Sequence, residues 1–130
     1  MSNPFDSAPV IFRYTRAMAL ADGVLIDATT GDFADVSRQH FPDHHLAMTS
    51  AVFALVEGGV EAGEGSDFAG IWHDILWMAH ACPVRLLPGG HTFKVGIRVG
   101  RAPRWNDLKI LFHGGDNGEP CATVMLPEED

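Results

Sequence analysis

Seven histidines and two cysteines are the softer metal-ligating side chains in this sequence, and six of the nine fall into two groups. His40, Asp43, His44 and His45 lie within one short segment, and His73, Asp74, His80 and Cys82 within another. A zinc site takes four nitrogen, sulfur or oxygen ligands in a tetrahedron, and its specific sequence signals are paired spacings such as Cys-x-x-Cys or His-Glu-x-x-His. Neither spacing occurs. His73 and His80 are two helical turns apart, about 10 Å by helix rise, too far to share one ion. His44 and His45 are adjacent, which suits a loop better than a helix face. The expectation is therefore no metal and no cofactor, with His40, His44, His45, His73 and His80 as the residues to check.

Nucleophilic chemistry has no better support. There is no Gly-x-Ser-x-Gly elbow, phosphate loop or dinucleotide glycine pattern around Ser37, Ser50, Ser66 or elsewhere. Cys82 precedes Pro83 at a helix end, where carbonyls face it, and Cys121 reads as a small strand residue. A thiol needs an activating base or cation to serve as a nucleophile. These absences point away from an enzyme.

Charge says more. The net charge is −8 with a pI near 5.2, which disfavours direct binding of nucleic acid. Residues 1–84 sum to −8, residues 85–109 to +5 and residues 110–130 to −5. Within the basic stretch, Phe93, Val95, Ile97 and Val99 alternate with Lys94, Gly96 and Arg98, the period of a half-buried strand. Leu108, Ile110 and Phe112 alternate with Lys109, Leu111 and His113. If the apolar sets face the core, Lys94, Arg98, Lys109 and His113 face outward. Arg101, Arg104 and Trp105 are expected on a loop beside them. These seven residues form the candidate binding surface, suited to an acidic protein partner. The tail Glu128-Glu129-Asp130 is placed to neutralise part of it.

The elements that hold this surface can be read in order. Thr15 caps a short helix through residues 16–22, and Gly23 stops it. Val24-Leu25-Ile26 reads as a strand, residues 29–32 as a turn, and a helical stretch runs to about His40. A second helix runs from Thr49 or Ser50 to Glu57, with Gly58-Gly59 as its stop. The strongest helix runs from Ser66 or Asp67 to about Ala81, where Phe68, Ile71, Trp72, Ile75, Leu76 and Ala79 recur on one face. Trp72 is expected to pack in the core, Trp77 to pack there or to face a partner, and Trp105 to be exposed. The glycines and acids of residues 114–118 form a turn before a third strand, residues 121–126. The expected fold is α+β, with N-terminal helices and a short strand, one long central helix and a C-terminal three-stranded antiparallel meander.

The 130 residues are expected to form one domain, with residues 57–66 as a flexible loop. No basic-then-apolar leader is visible, and the apolar run of residues 71–87 is too interrupted to span a membrane. Two cysteines cannot build a disulfide framework, so a cytoplasmic setting is expected.

Three segments carry a resemblance. They are Tyr14-Thr15-Arg16-Ala17 leading to Asp22-Gly23-Val24-Leu25, Ile71-Trp72-His73-Asp74-Ile75-Leu76-Trp77-Met78, and Gly118-Glu119-Pro120 leading to Met125-Leu126-Pro127-Glu128-Glu129-Asp130. Together they resemble an uncharacterised family of small acidic proteins carried by bacterial plasmids, integrative elements and phages. The resemblance implies a non-enzymatic accessory protein that binds host or element proteins and inhibits a host nucleic-acid-targeting defence system. A homodimer through the second helix face is a further expectation. The alternative is a small metal-dependent or nucleotide-using group-transfer enzyme, since the opening segment Arg13-Tyr14-Thr15 is also similar to that of ADP-ribosyltransferase folds.

Overall fold

The computed structural model describes residues 14–62, 65–99 and 101–129. Its elements in chain order are α1 (Arg16–Ala21), β1 (Leu25–Asp27), a 3-10 turn (Gly31–Phe33), α2 (Ala34–His40), β2 (His45–Thr49), α3 (Ser50–Ala62), α4 (Phe68–Ala81), β3 (Arg85–Leu87), β4 (Gly90–Val99), β5 (Ala102–Gly114) and β6 (Pro120–Met125). The fold is α+β, but its architecture corrects the expectation in two respects.

First, the C-terminal strands do not form a three-stranded meander on their own. One six-stranded mixed sheet runs β1-β2-β6-β5-β4-β3, and β2 lies parallel to β6 while the other pairs are antiparallel. The sequence hides β2 because His45-Leu46-Ala47-Met48-Thr49 lacks alternation. A strand covered on both faces needs none. Four of its five residues are buried, as are five of the six in β6.

Second, no single long helix is central. α3 and α4 are of similar length, 13 and 14 residues, and lie side by side on one sheet face. α3 also runs through the glycines expected to stop it, so residues 57–62 are helical rather than loop. Gly59 is there for packing: a Cβ at that position would sit 2.7 Å from Ile97 Cγ2 and 2.8 Å from Ile71 Cδ1. The residue lets α3 approach both β4 and α4, at the usual glycine cost in helix propensity.

Between these helices and the sheet lies the core, with Val52, Val56, Trp72, Ile75 and Leu76 against Leu46, Met48, Phe93, Val95, Leu108 and Val124. α2 closes one side. Its Ser37 hydroxyl donates to Ala28 O at 2.6 Å and accepts from Trp72 Nε1 at 2.8 Å, so the buried indole is satisfied. Trp77, expected in the core or against a partner, is 53% exposed.

α1 lies on the opposite sheet face. Thr15 caps it by accepting from Met18 N at 3.1 Å. The Asp116 carboxylate in the β5–β6 turn accepts from the backbone N–H groups of Arg16 and Ala17, both at 2.9 Å. Arg16 then reaches the sheet, donating from Nη1 to Thr123 Oγ1 at 2.9 Å and from Nη2 to His45 O at 3.2 Å.

Candidate functional site

The β4–β5 hairpin carries most of the basic stretch, and its register decides which side chains share a face. Lys94 pairs with Asp107, Gly96 with Trp105 and Arg98 with Pro103. Paired residues in an antiparallel ladder point the same way, so Lys94, Arg98 and Trp105 share the face away from α3 and α4. Arg104 pairs with Ile97 and belongs to the other face. It borders a small cavity with Ala54, Leu55 and Gly58 of α3. Arg104 and Trp105 lie in β5 rather than a loop, and Arg101 lies in the turn. The inward set Phe93, Val95 and Ile97 is buried, whereas Val99, which borders the same small cavity as Arg104, is 41% exposed.

Trp105 is 65% exposed, and its position is fixed by its neighbour. A Cβ on Gly96 would lie 3.5 Å from the Trp105 six-membered ring and 3.3 Å from Pro103 Cβ. The indole therefore lies over the glycine opposite it, an arrangement that protects a strand glycine and immobilises the aromatic ring. β6 pairs only with residues 109–114 of β5, so the half of the hairpin bearing Trp105 extends past it. Pro103 and the Asn106 Nδ2 bond to Arg104 O at 2.9 Å occupy groups along that stretch, as edge strands often require.

Part of the cationic face is answered internally. Lys94 Nζ is 3.1 Å from Asp107 Oδ1. Lys109 Nζ donates to Pro127 O at 3.0 Å and also to Glu129 O. Arg98 Nη2 donates to Arg101 O at 3.1 Å, bracing the turn. His113 stands apart from the hairpin tip, with Nε2 2.9 Å from Thr123 Oγ1 and 3.5 Å from Arg16 Nη1. The seven expected surface residues thus divide into a tip (Arg98, Arg101, Arg104, Trp105), two cations held locally and a histidine in another setting.

The histidines divide as well. His40 Nε2 and His73 Nδ1 are 2.9 Å apart where α2 meets α4, with Trp77 against both rings. Burial, then the neighbouring His73 and His80, pushes the His40 pKa down. Burial pushes the adjacent Asp74 carboxyl up, with His73 opposing. His44 packs on Phe41 and Phe112, and His80 on Phe41. His45 lies in β2, not a loop, with Nε2 3.7 Å from Asp27 Oδ1. Among the described residues, no three histidine, cysteine, aspartate or glutamate side chains come together as a metal site. Cys82 is exposed, and Cys121 is buried with its thiol pKa raised, chiefly by that burial.

A groove on the α1 side of the sheet was not foreseen from sequence. It is bordered by Tyr14, Arg16, Leu25, Leu111, Met125 and Glu129, among others. Arg16 stands in a segment singled out above, but its partner Thr123 is 107 residues away, and nothing local indicates that pairing.

No described helix is long and apolar enough to cross a membrane. No family model matches the sequence, and neither a curated protein nor a solved structure matches it.

Proposed function

We propose that this is a non-enzymatic docking protein of a mobile genetic element, which uses the tip of the β4–β5 hairpin to bind an acidic surface on a host or element protein. The observation that carries this reading is Trp105, a large aromatic ring 65% exposed, seated over Gly96 and flanked on its face by Arg98. Tryptophan and arginine dominate binding hot spots, and a ring already held in place loses little freedom on association. Arg101, in the turn, adds positive charge beside that face, which favours encounter with an acidic partner. The sequence resemblance supplies the context, and the target it proposes is a nucleic-acid-targeting defence system in a bacterial cytoplasm.

The test is capture from host lysate with the native chain and with Trp105→Ala and Arg98→Glu. A stoichiometric partner retained by the native chain, released by added salt and lost from both variants supports the reading. Capture that survives both substitutions in folded protein overturns it.

A further inference from the structure

The groove beneath α1 has a volume of about 700 Å³, within the range of about 300–1,000 Å³ usual for small-molecule sites. It lies apart from the docking hairpin tip and does not depend on it. Leu25, Leu111 and Met125 give it an apolar lining, and Tyr14 stands at α1 with its hydroxyl turned to Asp22 Oδ2 at 2.8 Å. Arg16 and Glu129, of opposite sign, border it, and His113 lies on the Arg16 side with Nε2 at 2.9 Å from Thr123 Oγ1.

Register separates them. Arg16 is bonded at Thr123, which pairs with Ala47 of β2, whereas Glu129 accepts from the Thr49 hydroxyl two residues further along that strand. Two residues of strand amount to about 7 Å. Arg16 offers the groove its positive charge, and Glu129 an unused oxygen. Arg16 Nε is buried without a partner among the described residues. The bonds to the Glu129 carboxylate from Thr49 Oγ1 and from Leu126 N, at 2.8 Å each, end on Oε2, which leaves Oε1 for a ligand donor.

Neighbouring charges do not blur this polarity. Asp116 is committed to the backbone of Arg16 and Ala17, so the guanidinium rather than the helix end is the anchor for an acid. Arg16 also borders a smaller cavity, but Asp116 and Glu119 line that one and would repel an anion. Lys109 is turned to the carbonyls of Pro127 and Glu129.

We infer that the groove binds a small dipolar molecule, with its acidic group at Arg16, its apolar body over Leu111 and Met125, and its amine at Glu129. The experiment is isothermal titration of the full chain with 4-(aminomethyl)benzoate and 6-aminohexanoate, and with benzoate and benzylamine as one-ended controls. The expected result is one-to-one binding of at least one dipolar compound, with each control about tenfold weaker, the worth of one lost charge-assisted hydrogen bond. Glu129→Gln should weaken the dipolar compound by about tenfold and leave benzoate unchanged. Leu111→Trp, which fills the floor without altering charge, should abolish binding while circular dichroism stays native. Absence of saturable heat with both dipolar compounds, equal affinity for the controls, or undiminished binding to folded Leu111→Trp overturns the proposal.

Discussion

The indole N–H of Trp72 is buried 2.8 Å from the hydroxyl of Ser37, and that hydroxyl is itself 2.6 Å from Ala28 O. One small side chain thereby satisfies α4 and the chain after β1 together. Ser37→Ala leaves a buried donor without its partner and removes a bond to a buried carbonyl. Such a loss costs about 1–3 kcal/mol per stranded group, so urea denaturation should show a fall of about 2–4 kcal/mol. A change below about 0.5 kcal/mol would mean the site relaxes to readmit water or a new partner.

α1 is attached through few residues, and Asp116 is central among them. Asp116→Ala removes the acceptor of two backbone N–H groups at the helix start. The expected outcome is faster amide exchange across residues 16–22 with the exchange of β4 and β5 unchanged, and a stability loss of about 1–2 kcal/mol. Uniform acceleration throughout the chain would show instead that α1 and the sheet open as one unit.

The His40–His73 contact predicts a pH dependence with a definite sign. Burial and the neighbouring His73 and His80 lower the His40 pKa below its ordinary value of 6.5. The unfolded chain therefore takes up that proton first as pH falls, and stability declines from about pH 6.5 downward until folded His40 protonates too. Asp74 works in the opposite direction over a more acidic window, since its raised pKa makes the folded chain hold its proton longer above the ordinary 3.8. His40→Gln should flatten the slope between pH 5 and 7 in thermal melts. An unchanged slope would assign the dependence to other groups.

Gly59 makes a prediction against helix propensity. Alanine usually stabilises a helix interior by about 1 kcal/mol relative to glycine. Here the added methyl would meet Ile97 and Ile71 at under 3 Å. Overpacking of this kind costs about 1–3 kcal/mol, so Gly59→Ala should be neutral to destabilising by about 2 kcal/mol in chemical denaturation. A gain in stability would show that the isoleucines shift freely.

Trp105→Ala separates docking from folding. The ring is mostly solvent-exposed and lies over Gly96, so stability should change by less than about 1 kcal/mol while partner capture is lost. A large drop in thermal stability would recast Trp105 as structural.

What could be read from the sequence was local. Thr15 as a cap, the helical face of Ile71, Trp72, Ile75 and Leu76, and the alternation from Phe93 to Ile97 are set by neighbours a few residues apart. What could not be read depends on distant partners. β2 looks like a loop because both of its faces are covered, and its pairing with β6 joins residues 45–48 to residues 121–124. Gly58 and Gly59 look like a helix stop because the approach of Ile97 is invisible from α3 alone. Trp77 looks like core because its helix is apolar nearly all round, yet it faces His40 and His73 at the surface. Among the surface residues, parity grouped Lys94 with Arg98, but only the register shows that Arg104 turns away, and only the folded chain shows that the tail meets Lys109 through its carbonyls.

β6, last of the described strands to be synthesised, lies in the middle of the sheet, between β2 and β5. A nascent chain still short of Pro120 holds two ribbons, β1 with β2 and β3 through β5, which no strand pairing yet joins. Completion of the sheet must wait until Pro120–Met125 has left the ribosome. A premature stop before β6 would therefore remove the keystone of the sheet and not merely trim its border.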